Sequence, residues 1–289
     1  MSTPPDRRPA DGYVQTVRSA SLIFGAPEPA QDDPAEAFHE ASKLYPSFAA
    51  RQTRGRLLET HLGLRVSSLR SVKRSSHLPA VPLPKPELPV TPFGDVVEAR
   101  RSDRAFAQAP LQLSDVAALL HAAYGTTHEL DVGAPGLGPQ LRTVPSGGGL
   151  FPLEVYVLPW RVDGLPCALY HFDPLRRVLE RIREGELEQD VRAASVYDDV
   201  ALGCGALFLV SAMFWRTRFK YGLRGYRFAL LECGHLAQNL LLAATALDLA
   251  AVPLGGFYDR RVDELLGIDG VNESALYAVA TGVRSAGDD

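Results

Sequence analysis

One stretch constrains the fold more than any other. It is Arg142 to Leu158, RTVPSGGGLFPLEVYVL, a glycine-rich loop that runs straight into a strand. Pro145 stiffens the entry because its ring fixes φ. Ser146 offers a hydroxyl. Gly147, Gly148 and Gly149 allow positive φ and leave no Cβ in the way of a flat ligand. Glu154 to Leu158 then reads as a half-buried to buried strand. A loop of backbone N–H groups at a sheet edge suits an electron-rich ring or an anion. A flexible turn would explain a lone Gly-Gly-Gly as well. Further segments that fit the same ligand set this stretch apart.

The chain has 289 residues, 46% hydrophobic and 22% charged, enough for one large domain or two smaller ones. A formal net charge of -4 makes no global case for nucleic acid. Cys167, Cys204 and Cys233 are scattered, and none forms the Cys-x-x-Cys of a zinc site. The polar first residues carry no hydrophobic core of a signal peptide. The longest apolar run, Phe228 to Leu247, contains Glu232, His235, Gln238 and Asn239, which argues against a membrane span. The expectation is a soluble, cytoplasmic protein without a metal.

Residues 1–30 read as loosely packed, and Asp33-Pro34 opens a helix through Lys43. Arg51 to Arg74 is a basic run, read as a solvated face or a landing site for an acidic partner. Six prolines between Leu78 and Pro92 predict an extended connector. The expected organisation is therefore an arm over 1–92 and a main domain over 93–289. Within that domain, helices are expected over Phe93–Arg101, from Leu113 with Ser114 and Asp115 capping to Gly125, over Glu184–Ser195 and over Arg261–Leu266. His128 to Gln140 reads as a loop. Ala168–Phe172 and Val178–Ile182 read as a hairpin, and Ala206–Ala212 as a central strand with both faces covered. The longest helix, Tyr226–Leu247, is apolar nearly all round, so it is expected wholly in the core. Pro253 to Phe257 reads as a second glycine loop before a last strand, Ala275–Thr281. The fold class is α+β, with a mixed or antiparallel sheet flanked by helices around a long buried central helix.

Three features fit a phosphorylated aromatic ligand. Arg100, Arg101, Ser102 and Arg104 pair arginine forks with a hydroxyl, a combination suited to phosphate as well as to a surface salt-bridge cluster. Gly255 and Gly256 form the second loop. Arg284 is a further phosphate candidate near the C-terminus. Lys220 and Tyr221 lie among Arg216, Arg218, Arg224 and Arg227, with no acid between 213 and 231. Cations brought close would favour a neutral lysine, able to act as a base, although a solvated basic loop gives the same composition. Glu36-x-x-His39 and Glu232-x-x-His235 have the spacing of di-iron bundles, but the strand signals oppose a bundle, and a buried helix histidine is the simpler reading of His235. Gly203-x-Gly205 has Phe at position 208 and is not a dinucleotide fingerprint.

Together these segments resemble the FMN-dependent nitroreductase superfamily: Arg-Arg-Ser-x-Arg, Pro-Ser-Gly-Gly-Gly-Leu-Phe-Pro-Leu-Glu-Val-Tyr, and Pro-Leu-Gly-Gly-Phe before a terminal strand. Phe38 to Lys43 and Lys220 to Phe228 running into Gly234 to Leu240 resemble its SagB-type branch, the azoline dehydrogenases. The resemblance implies a homodimer with FMN at the subunit interface. It implies phosphate held by Arg100, Ser102 and Arg104, the Pro145, Ser146, Gly147, Gly148 loop along the isoalloxazine, and Gly255-Gly256 near its redox-active edge. Lys220 and Tyr221 become the catalytic pair. Asp248 departs from the usual glycine after the long helix, but Asp tolerates the left-handed turn. Phe151 stands where Tyr is common.

The implied function is oxidation of thiazoline or oxazoline rings to thiazole or oxazole. The substrate would be a ribosomal or carrier-bound nonribosomal peptide, with O₂ reoxidising the flavin. A cyclodehydratase or a peptide synthetase is the implied partner. An NAD(P)H-dependent nitro- or quinone reductase is the competing enzyme, and a flavin-less, partner-binding scaffold the competing class.

Overall fold

The structure is a computed structural model that describes residues 34–44, 72–73, 75, 77–129, 131, 138 and 140–285. The readings made for residues 1–30 and for most of the basic run Arg51 to Arg74 lie outside these. Two compact units divide the chain after Leu44. In the first, α1 (Pro34–Ala41) begins on its proline, where the missing N–H costs no helical bond.

The second unit is built on a seven-stranded sheet. Its strands are β1 (Ala80–Pro82), β5 (Leu153–Pro159), β7 (Leu169–Asp173), β8 (Val178–Arg183), β9 (Ala206–Met213), β10 (Leu249–Leu254) and β11 (Glu273–Val283). They lie in the order β1-β8-β7-β5-β9-β11-β10, and every pairing is antiparallel. The expected antiparallel α+β architecture is what forms. Two small ribbons stand beside it: β2 (Leu111–Gln112) with β6 (Val162–Asp163), and β3 (Thr126–Glu129) with β4 (Gln140–Arg142). The 128–140 stretch is thus partly a ribbon rather than all loop.

Helices cover both faces of the sheet. Val155, Val157, Phe208, Val210 and Val279 pack in one cluster with α3 (Leu113–Tyr124) and α7 (Leu223–Ala246). Tyr156, Leu158, Leu207, Leu209 and Ala278 pack in another with α4 (Leu187–Ala194), α5 (Asp198–Gly203) and α8 (Asp259–Leu266). Side chains alternate along a strand, so a strand covered on both faces must be apolar at successive positions. That is why β5 and β9 are apolar at nearly every position, with only Glu154 and Ser211 breaking the runs. Two further helices are α2 (Phe93–Ala99) and α6 (Trp215–Tyr221).

Several expectations are corrected. Asp115 caps α3 by accepting the Gln112 N–H at 3.0 Å, so the helix starts one residue before the expected serine cap. Trp215 to Tyr221 is a helix, not a basic loop. Pro253 and Leu254 belong to β10, because an edge strand tolerates proline. The long helix is not buried all round. Ala229, Cys233, Leu236, Ala237, Leu240 and Ala244 face inward, while Leu230, Leu231 and His235 are exposed. His235 is therefore no core histidine. Asp248 does take the left-handed turn, with φ 56.

Candidate active site

The glycine loop and α6 meet. Gly148 has φ 68, and a Cβ on it would lie 2.5 Å from Tyr221 Oη and 3.0 Å from Lys220 Nζ. A Cβ on Gly147 would lie 2.9 Å from the Phe228 ring. Tyr221 meets Phe228 edge-on at 5.0 Å. The absent side chains therefore let backbone pack directly on the lysine–tyrosine pair. Lys220 and Tyr221 end α6, and Gly222, with φ 58, turns the chain into α7.

The loop closes through a strained residue. Phe151 has φ 43, uncommon for a bulky side chain. Three contacts hold it. Its N–H donates to Ser146 Oγ at 2.9 Å. Its carbonyl accepts from Arg216 at 3.2 Å. The buried Arg142 guanidinium lies 4.8 Å from its ring centroid and 4.1 Å from that of Tyr124.

Behind the loop lies buried polar structure. Tyr124 Oη accepts the Leu153 N–H at 3.2 Å and donates to Glu232 Oε1 at 2.7 Å. Glu232 is 2% exposed. Burial pushes its carboxyl up to about 7, against opposing effects of Ser146, Tyr124, Arg142 and Arg216. Across the sheet, Glu154 pairs with Arg216 at 2.6 Å and with His171 Nε2 at 2.7 Å. Burial alone would raise the Glu154 carboxyl, but Arg216 and His171 bring it down to about 2. For His171, burial opposes the charge, yet hydrogen bonds and attraction from Glu154 and Glu180 outweigh it and raise its pKa. Lys73 Nζ completes this region, 2.8 Å from Tyr156 Oη and 2.9 Å from Glu273 Oε2.

The phosphate candidates form a separate grouping. Arg101, Ser102, Arg104 and Arg284 line one open cleft with Asp103 and Ala105. Arg284, far away in sequence, is fixed there by Asp103 at 2.9 Å. Arg100 follows α2 with its N–H on Val96 O and is not among the residues lining the cleft. The Asp103 N–H donates to Ala251 O in β10 at 3.0 Å. At about 3.3 Å per residue, Gly255 stands roughly 13 Å along from Ala251. One strand thus links the cationic cleft to the second glycine loop, a span that fits a ligand with a phosphate at one end and a ring at the other. Gly256 approaches the Val196–Tyr197 turn so closely that a Cβ would lie 2.8 Å from the Tyr197 ring.

Two of the four cations expected to crowd Lys220 are engaged elsewhere, and Arg224 lies over the Phe228 ring at 5.9 Å. Arg216 is taken by Glu154 and Phe151, and Arg218 lies over the Trp215 ring at 4.8 Å. Lys220 Nζ itself stands 5.2 Å from the Tyr221 ring centroid. The acid missing from 213–231 is supplied by β5. Glu232, set beside His235 for its metal-like spacing, instead serves Tyr124. Among the described residues no group of three His, Cys, Asp or Glu side chains is placed to hold a metal ion. Tyr124, Arg142 and Arg216 were not legible as site residues, because strand and helix positions far apart in sequence bring them together. Arg216 stood out only as one of the cations around Lys220, and Tyr124 only as a hydroxyl at the end of an otherwise apolar helix.

Residues 97–283 match the model of the nitroreductase family. A Methanocaldococcus jannaschii protein assigned to the nitroreductases is 34% identical over 183 residues, 63% of this chain and 88% of its own length. The microcin B17-processing protein McbC of Escherichia coli is 33% identical over 141 residues, 47% of this chain and 52% of that protein, so the match spans about half of McbC. The structure of the Escherichia coli microcin synthetase McbBCD complex with truncated pro-MccB17 contains a chain with the same fold. There the TM-score is 0.55 at 21% identity, covering 96% of this chain and 99% of that one. The chain belongs to the nitroreductase family, whose members use FMN.

Proposed function

We propose that the chain is the FMN-dependent dehydrogenase that oxidises thiazoline or oxazoline rings to thiazole or oxazole during maturation of a peptide natural product. The observation that carries this reading is the contact of Gly148 with Lys220 Nζ and Tyr221 Oη. It sets a proton-accepting pair directly against the glycine loop, at the margin of a ring lying along that loop. The partial match to the microcin-processing protein McbC supports the same branch.

The reaction removes two hydrogens from the ring, one as hydride and one as a proton. Bound FMN supplies the hydride acceptor. The chain supplies the rest. Lys220 takes the proton, and Tyr221 orients the ring or passes the proton on. Arg101, Ser102, Arg104 and Arg284 hold the phosphate with charge-assisted hydrogen bonds, and Arg100 adds charge beside them. Ser146 and Pro145 would fix the loop along the flavin, with Gly147 and Gly148 letting its backbone approach Phe228, Tyr221 and Lys220. Gly255 and Gly256 lie at its reactive edge. A homodimer supplies the remaining walls of the cleft, and exposed Leu230 and Leu231 on α7 offer an apolar face for it. A peptide substrate and a cyclodehydratase partner follow from the same reading, because an azoline must be made before it is oxidised.

The purified protein, incubated aerobically with an azoline-bearing peptide, should convert it to a product lighter by two hydrogens in mass spectrometry. NADPH should bleach its flavin only slowly. Rapid NADPH oxidation with a quinone or nitroarene, and no change in the azoline, would make it a reductase instead.

A further inference from the structure

Glu232 is a buried acid of the site that the proposed chemistry leaves unused and that, unlike Glu154, makes no ion pair among the described residues. It lies on α7, close to the loop rather than at the base. Its hydrogen-bond partners have defined donor and acceptor roles. Tyr124 Oη accepts from the Leu153 N–H, so its own proton points to Glu232 Oε1. Ser146 Oγ accepts from the Phe151 N–H, so its proton is free to be donated, and Ser146 favours the charged form of Glu232. Glu232 Oε2 is buried and makes no hydrogen bond of full geometry to the described residues, which leaves it an open acceptor on that side. Ser146 and Phe151 bracket the three glycines, and Phe151 holds φ 43, a conformation that persists only if its surroundings impose it.

The geometry points to Glu232 as the positioning residue of this site: through Ser146 and Tyr124 it holds the strained turn that presents Gly148 to Lys220 and Tyr221. The inference rests on the reading of Lys220 and Tyr221 as the catalytic pair. It adds a pH dependence that does not come from that pair. Ionised, Glu232 accepts from Tyr124 Oη, and the Ser146 hydroxyl beside it favours the charge. Protonated, it carries a hydrogen of its own and no longer draws the Ser146 hydroxyl by charge, which weakens the hold on the turn that Ser146 makes with the Phe151 N–H. Burial places that change at about 7. Around Glu232, the groups that act on the charge are Tyr124 of α3, Arg142 of β4, Arg216 of α6 and Ser146 of the loop, with Cys233 beside it on α7. Glu154 of β5 is engaged by Arg216 and His171.

The test uses flavin-loaded protein and two readouts. One is hydrogen-exchange protection of the Phe151 and Leu153 amides, which needs no turnover. The other is kcat against pH. In the parent, kcat and the protection of these two amides, taken relative to core amides of β9 so that the fold's own loss of stability with pH cancels, should both rise through a midpoint near 7. Glu232→Gln imitates the protonated form. It should match the parent near pH 6 and lose roughly 10- to 100-fold in kcat at pH 8, with KM little changed, as expected for misplacement rather than lost binding. Its protection profile should be flat. Ser146→Ala keeps the acid but removes a donor to its charged form, so the midpoint should move upward. A Glu232→Gln protein that keeps the parental step in both readouts would overturn the proposal, as would an unmoved midpoint in Ser146→Ala. If the azoline is not oxidised by any form, the function reading fails, while the amide profile still decides the role of Glu232.

Discussion

Gly148 is where a single atom decides most. Its φ of 68 already disfavours a side chain, and the new Cβ would lie 2.5 Å from Tyr221 Oη. Gly148→Ala should therefore cost roughly 1–3 kcal/mol of backbone strain. It should also displace Tyr221, lowering azole formation while the phosphate cleft keeps FMN. Steady-state rates beside flavin content by absorbance check this, and a fully active variant contradicts the packing described. Glu232 gives a stability prediction with a definite sign. Its folded value of about 7 lies above the ordinary 4.5, so the folded state binds the proton more tightly than the unfolded state. Stability conferred by that proton is complete below 4.5 and is lost as pH rises through about 7. A tenfold difference in proton affinity is worth about 1.4 kcal/mol, so the loss is roughly 3 kcal/mol. Glu232→Gln removes the ionisation and keeps an acceptor for Tyr124. Its melting temperature relative to the parent should therefore improve from pH 5 to pH 8, and a pH-independent difference would count against a raised Glu232.

At the scale of elements, α6 is held to the sheet by Arg216, which joins Glu154 of β5 to the carbonyl of Phe151. His171 of β7 sits on the other side of Glu154 and gains its proton affinity from Glu154 and Glu180. A raised histidine stabilises the fold at low pH, and that contribution fades as pH rises through its folded value. His171→Gln should then destabilise more at pH 5.5 than at pH 9, as read by denaturant unfolding. The opposite order would mean that His171 is neutral in the fold. This network was invisible in the sequence. Glu154, His171, Glu180 and Glu273 are separated by many residues, and only strand register, such as Tyr156 opposite His171, places them on one face. Lys73, read within a solvated basic run, reaches buried Glu273 instead. The strands β5 and β9 were legible because coverage on both faces leaves almost every position apolar. β10 was not, because Pro253 and two glycines look like a loop unless the strand is known to be an edge. α6 was not, because four of its seven residues are charged or polar, leaving too few apolar positions for a helical period.

For the whole molecule, the cofactor and the family follow from the nitroreductase match over residues 97–283. Among the described residues no helix is long and apolar enough to cross a membrane. The cationic cleft depends on the fold as a unit, since Arg284 reaches it from the last strand and Arg101, Ser102 and Arg104 from the first long loop of the main unit. Arg104→Ala should lose roughly 1.5–3 kcal/mol of charge-assisted bonding to FMN, at least a tenfold loss of affinity. Flavin retention through gel filtration equal to the parent would remove Arg104 from the phosphate site. The most direct measurement of the central claim is mass spectrometry of an azoline peptide incubated with Lys220→Ala protein carrying its full complement of FMN. Loss of a positioned base typically costs about 10²–10⁴-fold in rate. The account predicts a yellow protein that leaves the azoline unoxidised, and full turnover by that protein would contradict it.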